Sequence, residues 1–508
     1  MQSRKLDVLF VEADSSGAAY QELGKIFSAI ETPTWSLLLA QSCRAKGYGV
    51  GILDQTAERL TDEQALTRIQ DSGARLVVFV VYGQNPNSGT TSMVGACRLC
   101  EKLKLDHPEL RTCFVGSHTS ALPREVLKFK YVDFVLLNEG VYALHHLLAT
   151  NLSEKLAAVK GIGYKTADGI ILNEPQFVVP QDRMDIDLPG YAWDLLPFEK
   201  TPLDLYRAHF WHADFSHLKR TPFAAIYTSL GCRFACDFCM INIVNRVDNT
   251  EGVVSANSRN MRYWSPDFIT KEFEKLAAYG VETIRISDEM FFLDKRYYEP
   301  LCRNIIDRGL KFRMWSYSRV DTVRKEFLDL FKRAGIGWLA LGVEAGNQMV
   351  RKEASKGSFK DVNIREAIRE VRESGINVIS NYIFGFPEDN LETMQQTLDL
   401  ALELCTEMAN MYPCQALPGS PLYNTARQMG WKLPDKPEGF AFLSYESLPL
   451  PTKHVSAAEV LRFRDHAWQT YFTYLPFLDL IEKKFGIDER RNVEEMSRIR
   501  LKRKILGD

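Results

Sequence analysis

The chain has 508 residues, of which 45% are hydrophobic and 25% are charged. A chain of this length is too long for a single hydrophobic core, so we expect two or three domains. The formal net charge is −2, so the overall charge gives no reason to expect a nucleic acid or an anionic membrane as a partner.

The N-terminal apolar run is short and breaks at Glu12 and Asp14, so we expect no signal peptide. No apolar run reaches about 18 residues, the length that a transmembrane helix needs. The ten cysteines therefore have no secretory context and do not suggest a disulfide framework. We expect a cytoplasmic protein in which the thiols stay reduced.

The first 150 residues alternate between apolar strand signals and segments with helical periodicity, which predicts a doubly wound parallel sheet. The strand signals lie at 6–13, 49–54, 75–83, 112–117 and 133–140. Such a sheet binds ligands at the carboxyl ends of its strands. Three of these ends are polar or contain glycine, namely 82–85, 116–119 and 138–140.

The rest of the chain divides into a connector, a second β/α region and a tail. Residues 151–220 are predicted to be a connector with a small hairpin that turns at Asp168-Gly169. Residues 221–420 contain six strand candidates. Six units are too few for a closed eight-unit barrel, so we predict a partial (β/α)6 barrel. Residues 421–508 are predicted to be mainly helical.

Cys232, Cys236 and Cys239 form a Cys-x3-Cys-x2-Cys motif at the end of a predicted strand. A [4Fe-4S] cluster usually takes four thiolates, so three would leave one iron open to the amino and carboxylate groups of a small molecule. The alternatives are three structural cysteines or a zinc site with a fourth ligand elsewhere. Zinc sites favour paired Cys-x2-Cys units, and no second pair follows. We interpret the other cysteines, Cys97 and Cys100 included, as core residues.

With these cysteines, residues 221–420 resemble the radical S-adenosylmethionine (SAM) superfamily. The resemblance implies that Phe238 lies beside the SAM adenine. It also implies that Asp288 and Glu289, at the end of the second strand, lie near the SAM amino group. Arg319 belongs to a stretch similar to the third-strand motif of related enzymes.

Two further motifs extend the resemblance. Residues 342–346 are similar to G-[IV]-E-[ST]-G, with Glu344 as a SAM contact and Ala345 in place of the usual hydroxyl residue. Residues 383–388 are similar to the I-x-G-x-P-x-E/D region that flanks adenine, which includes Gly385. Its acidic residue, Glu388, comes one position early, with Asp389 next to it.

The first domain resembles that of the cobalamin-binding subgroup, the class B radical SAM methylases, through residues 31–54, 114–119 and 133–140. The D-x-H-x-x-G motif, whose histidine binds cobalt, is absent, as is common in this subgroup. The alternative for His118 is a turn histidine bonded to the backbone, and segment 82–91 is alternatively a solvated loop. The implied cobalamin contacts are Tyr82, Asn85, Ser88, Gly116, His118 and Glu139.

The resemblance implies a cobalamin-dependent enzyme that methylates an unactivated centre of a small metabolite by a 5′-deoxyadenosyl radical mechanism. The alternative is a cobalamin-free radical SAM dehydratase, epimerase or cyclase that keeps the first domain as a structural relic. A third hypothesis is an iron–sulfur regulatory protein. We expect a small-molecule substrate and an external electron donor of the flavodoxin or ferredoxin type, with no nucleic acid and no membrane as partners.

Overall fold

The computed structural model describes residues 5–218, 220–245, 260–355, 359 and 362–508. None of the helices in these ranges is long and apolar enough to cross a membrane.

A seven-stranded sheet forms the first domain, in the order β2-β1-β3-β4-β5-β6-β7. The first five strands are parallel, which confirms the predicted doubly wound sheet. The predicted hairpin adds two antiparallel strands to its edge. The strands are β1 Val8–Glu12, β2 Val50–Asp54, β3 Leu76–Val80, β4 Arg111–Val115, β5 Phe134–Leu136, β6 Ile162–Thr166 and β7 Gly169–Leu172.

Helices cover both faces of this sheet, so its central strands are buried. All five residues of β3 are inaccessible, as expected of a strand with helices on both faces. The helices up to residue 187 are α1 Ser16–Tyr20, α2 Leu23–Ile26, α3 Thr34–Ala45, α4 Asp62–Asp71, α5 Gly89–Asp106, α6 Ser117–Ala121, α7 Pro123–Lys128, α8 Val141–Ala149 and α9 Met184–Asp187.

A six-stranded parallel sheet forms the second domain, in the order β15-β14-β13-β12-β11-β8, which confirms the predicted partial barrel. The first predicted strand is split, and its second half, β9, pairs antiparallel with β10. The strands are β8 Phe223–Ile226, β9 Ser229–Gly231, β10 Met261–Tyr263, β11 Thr283–Ile286, β12 Arg313–Arg319, β13 Ile336–Glu344, β14 Asn377–Phe384 and β15 Met408–Pro413.

The barrel strands alternate with helices, and a helical C-terminal region packs against the last strands. In that region Arg464 is buried and its Nε donates to the carbonyl oxygen of Met411 on β15 at 2.7 Å. The helices are α10 Pro266–Ala278, α11 Lys295–Asp307, α12 Leu328–Arg333, α13 Gln348–Ala354, α14 Ile364–Glu373, α15 Leu391–Leu404, α16 Pro421–Gln428, α17 Ala457–Phe472, α18 Leu475–Phe485 and α19 Ile487–Arg498.

The segment before α3 docks the first domain onto the barrel. Thr32 Oγ1 donates to the carbonyl oxygen of Ala225 on β8 at 3.0 Å and accepts from its amide at 2.9 Å. Beside it, the side chains of Glu31 and Arg285 form an ion pair that is 5% and 1% exposed, respectively. Because these contacts are buried, the two domains share a continuous interior.

Candidate functional site

The three cysteines follow β9 in one loop, in which Cys232 is buried and Cys236 and Cys239 are partly buried. The amide of Cys239 donates to the carbonyl oxygen of Cys236 at 3.2 Å, which closes a tight turn between the two ligands. Burial raises the pKa of all three thiols, those of Cys232, Cys236 and Cys239, to about 12. A bound positive charge, such as that of iron, would stabilise three thiolates in these surroundings. The donor set therefore fits an iron–sulfur cluster.

These thiols do not surround one point. Across the described ranges, no three His, Cys, Asp or Glu side chains come close enough together to hold one metal ion. The thiolates of a [4Fe-4S] cluster each bind a different iron, so such a cluster does not require them to converge.

Arg319 lies over the cysteine loop. Its guanidinium stacks 3.6 Å from the ring centroid of Phe234 and interacts electrostatically with Cys236. It donates to both carboxylate oxygens of Asp321, at 2.9 and 2.6 Å. The structure thus places Arg319 beside the cysteine loop, where an aromatic ring and a carboxylate hold its guanidinium.

A bulge at the end of β13 turns Glu344 toward this loop. The pairing of β13 with β14 shifts register between Gly342 and Glu344, and Glu344 has a φ of 67°, which is uncommon for a residue with a side chain. Burial raises the pKa of its carboxyl to about 7, although the charge of Arg319 lowers it. Backbone strain and an acid poised near neutral pH are both typical of functional sites.

Asp288 and Glu289, which follow β11, have different surroundings. Asp288 accepts from the amide and hydroxyl of Thr228, at 2.5 and 2.6 Å, and from the hydroxyl of Ser229 at 2.6 Å. It therefore fixes the segment that leads to Cys232. Among the described residues, the buried Oε1 of Glu289 has no hydrogen-bond partner, and burial raises the pKa of Glu289 to about 7. Of the two acids, Glu289 is the one with a free acceptor for a ligand.

Apolar and backbone groups close the other side of the cysteine loop. The ring of Phe238 lies 5.6 Å from that of Phe386, centroid to centroid. Gly385, with a φ of 88°, donates its amide to Asp389 Oδ2 at 3.0 Å, as does Phe386. The acid that shapes this turn is therefore Asp389, whereas Glu388 pairs with Lys453 at the surface.

A cavity of about 420 Å³ opens at the carboxyl ends of β1, β2 and β3. The sheet order changes direction between β1 and β3, and such switch points are where open α/β sheets bind ligands. Trp35 and Tyr82 stack with ring centroids 4.3 Å apart and form part of its wall. The polar loop that follows β3, with Gly83, Gln84 and Ser88, lines the cavity as well. This loop and the aromatic wall fit a large planar ligand such as a corrin.

Of the six residues predicted to contact cobalamin, Tyr82 and Ser88 line this cavity. Ser88 Oγ donates to the carbonyl oxygen of Asn85 at 2.8 Å and accepts from its amide at 3.2 Å. Asn85 therefore does not line the cavity, but its backbone holds Ser88, which does.

The other three predicted contacts pack elsewhere in the first domain. Gly116 lies directly against the backbone of Val81. The buried ring of His118 makes a 3.1 Å hydrogen bond to Thr90, and burial lowers the pKa of His118 to about 4, so this ring is neutral at pH 7. Glu139 forms a buried ion pair with Arg262. In this structure these residues pack at the carboxyl ends of β4 and β5 and do not line the cavity.

Two acidic wall residues were not predicted from the sequence. Glu12 and Asp54 are the last residues of β1 and β2 and face each other in register. Burial raises the pKa of Glu12 to about 8 and that of Asp54 to about 6. The signal for both was present, because Glu12 is the penultimate residue of one predicted strand and Asp54 is the last residue of another. Finding them required the strand order, which places β1 at the switch point.

Comparison with known proteins gives two family matches. Residues 226–401 match the model described as Radical SAM superfamily, and residues 27–148 match the model described as B12 binding domain. The chain is 23% identical to an uncharacterized methyltransferase of Pyrococcus horikoshii, over 78% of each chain. It is 25% identical to the anaerobic magnesium-protoporphyrin IX monomethyl ester cyclase of Rubrivivax gelatinosus, over 90% of this chain and 76% of that enzyme.

The fold is also that of a solved structure. The radical S-adenosylmethionine methyltransferase TsrM of Kitasatospora setae, with cobalamin and a [4Fe-4S] cluster bound, superposes with a TM-score of 0.66 at 16% identity. The match covers 93% of this chain and 90% of TsrM. Both domains and their arrangement therefore recur in that protein.

Proposed function

We propose that this chain, a radical SAM superfamily member with a B12-binding domain, is a cobalamin-dependent methyltransferase that acts on an unactivated centre of a small metabolite. Its cofactors are a [4Fe-4S] cluster, SAM and cobalamin. One observation carries the proposal: Ser88 lines the cavity of the first domain, and its neighbour Asn87 contacts Cys239. Two adjacent residues of one loop therefore contact the two candidate cofactor sites.

The barrel has residues suited to hold the cluster and SAM. When bound, the cluster and SAM supply a 5′-deoxyadenosyl radical, and cobalamin supplies the methyl group. Cys232, Cys236 and Cys239 hold the cluster. Glu344 and Glu289 offer buried carboxylates to the amino group of SAM, and Phe238 offers an apolar face to its adenine.

Between the two sites lies a buried polar region that suits a small substrate. Tyr20 lines the cavity of the first domain, and Tyr412 of the barrel lies near Tyr20, Tyr317 and Glu344. Arg285 donates to the Tyr317 hydroxyl at 3.2 Å. Hydroxyl and guanidinium groups at this position would orient a polar metabolite away from bulk water. An external flavodoxin- or ferredoxin-type protein would supply the electron.

A second candidate is a cyclase, which the similarity to the Rubrivivax gelatinosus enzyme favours, since it extends over 90% of this chain. The same cavity and cysteine loop would serve a radical ring closure without methyl transfer. The two candidates differ in whether a methyl group leaves SAM, which the experiment at the end of the Discussion measures.

The cobalamin site is tested with hydroxocobalamin. Protein mixed with hydroxocobalamin and then desalted should retain about one corrin per chain in the visible spectrum. No histidine is among the described residues that line the cavity, so the spectrum should be that of a base-off form without a histidine ligand. Thr91→Trp places a large ring in the cavity and should weaken binding at least tenfold.

The matched control is Thr67→Trp, which puts the same ring on an exposed position of α4 and should leave corrin retention unchanged. Loss of all corrin from the unaltered protein on desalting would contradict the cobalamin assignment and favour a cobalamin-free enzyme.

The SAM site is tested at Glu344. Glu344→Gln removes an ionisable acceptor, and a charge-assisted hydrogen bond is worth about 1.5–3 kcal/mol, so the Kd for SAM should rise about tenfold or more. Calorimetric titration of the cluster-loaded protein gives this Kd. Glu388→Gln, which changes a surface acid paired with Lys453, is the control. Equal Kd values for the two variants would show that Glu344 does not contact SAM.

A further inference from the structure

The loop between β3 and α5 contacts both the cavity of the first domain and the cysteine loop of the barrel. Gly83, Gln84 and Ser88 line the cavity of the first domain. Between Gln84 and Ser88, the short helical turn Pro86–Ser88 carries Asn87, whose side chain points away from the cavity to the cysteine loop of the barrel. This one loop therefore contacts both candidate cofactor sites.

Asn87 makes two hydrogen bonds to the cysteine loop. Its Oδ1 accepts from the amide of Met240 at 3.0 Å, and its Nδ2 donates to Sγ of Cys239 at 3.5 Å. The first bond fixes the amide orientation, because a backbone N–H can only donate and must face the oxygen. The group that faces the sulfur is then necessarily the NH₂ donor.

The loop that carries Asn87 is held in one shape. The Ser88 hydroxyl bonds both the amide and the carbonyl oxygen of Asn85. Gly83 has a φ of 65°, and a Cβ there would lie 2.5 Å from Ser88 Oγ. A change in the cavity wall at Gly83 or Ser88 is therefore transmitted to Asn87 by a short, stiff segment.

We propose that Asn87 is a positioning residue through which the cobalamin cavity of the first domain is coupled to the cluster ligand Cys239. This inference rests on the proposed function. An N–H donor to a cluster sulfur stabilises the more negative, reduced cluster and raises its reduction potential. By linkage, a cluster that holds the cysteine loop also holds Asn87, and with it the cavity wall, so each site strengthens binding at the other.

The first test is the midpoint potential of the cluster in corrin-free protein, measured by EPR-monitored redox titration. Asn87→Leu removes the donor and should make one-electron reduction about tenfold less favourable, a shift of about 59 mV to lower potential. Asn87→Asp keeps the acceptor for the Met240 amide, replaces the donor with an oxygen and adds negative charge beside the sulfur, so the potential should shift in the same direction and at least as far. Iron content is measured on each variant to show that the cluster is present.

The second test is the ratio of hydroxocobalamin Kd values for cluster-free and cluster-loaded protein. The unaltered chain should bind at least about fivefold more tightly when loaded, the lower end of usual coupling, and Asn87→Leu should bring the ratio to one. Asn151→Asp is the control, since Asn151 lies in the same domain and its Oδ1 accepts from Arg75, which precedes β3 at the end opposite the cavity. It should change neither quantity.

The two proposals fail separately. An unchanged midpoint potential in both Asn87 variants, with the cluster present and corrin still retained by the unaltered protein, would overturn the role of Asn87 and leave the proposed function standing. Loss of corrin binding by the unaltered protein would contradict the proposed function, and the coupling with it.

Discussion

Replacing Cys232, Cys236 and Cys239 together with alanine is expected to abolish the cluster and all cleavage of SAM. The unaltered protein, reconstituted without oxygen, should hold about four irons per chain, as a [4Fe-4S] cluster requires. Cys232 is buried and Cys236 and Cys239 are partly buried in the cysteine loop, and the described residues contain no cluster of His, Cys, Asp or Glu side chains elsewhere that could take over as a metal site. Iron content and 5′-deoxyadenosine formation are the measurements.

The matched control for the cysteines is Cys302→Ala. Cys302 is a buried cysteine of the barrel domain, on α11, so its removal tests the general effect of losing a thiol. It should leave four irons and SAM cleavage in place. A triple variant that kept the cluster would show that the ligands have been misassigned.

Arg285→Met is expected to lower the free energy of unfolding by about 3–5 kcal/mol, the usual cost of leaving one member of a buried ion pair without its partner. The guanidinium of Arg285 is 1% exposed and pairs with Glu31 of the first domain. It also lies 5.0 Å from the ring centroid of Trp315. Removing it leaves the buried Glu31 carboxylate at the contact between the two domains without its permanently charged partner, beside the His209 ring, whose Nε2 lies 3.4 Å away. Differential scanning calorimetry should show an earlier first transition.

Two further variants make this result specific. Arg365→Met breaks an ion pair with Glu403 whose side chains are 61% and 52% exposed, and such pairs contribute about 0–1 kcal/mol. The double variant Glu31→Gln with Arg285→Met should recover much of the loss, because no buried charge is then unpaired. An Arg285→Met transition no lower than that of Arg365→Met would contradict the importance of the interdomain pair.

The parallel architecture could be predicted from the sequence because its strands are buried on both faces and appear as continuous apolar runs. β3 and β13 are examples, with all five residues of β3 and six of the nine residues of β13 buried. The break between β8 and β9 was not predicted. Residues 223–231 read as one strand in the sequence, and the side chains that bond Thr228 and Ser229 at the break, those of Asp288 and Tyr297, are distant in sequence.

The cysteine ligands could be identified because their spacing is local, whereas the cavity wall could not. The wall combines the ends of β1, β2 and β3 with the segment around Glu31, and their proximity depends on strand order. Gly116, His118 and Glu139 follow strands on the far side of the switch point, so the same polar pattern occurs there without lining the cavity. The bond from Asn87 to Cys239 joins two domains and has no sequence signature.

The most direct test of methyl transfer through cobalamin follows the methyl group of SAM. Cluster- and corrin-loaded protein is reduced in the presence of SAM labelled with ¹⁴C in the methyl group, and the corrin is then extracted and counted. The proposed methyltransferase predicts label in the corrin fraction, at a level that Thr91→Trp lowers and Thr67→Trp preserves. Corrin that stays bound but carries no label, while 5′-deoxyadenosine still forms, would contradict methyl transfer and favour the cyclase.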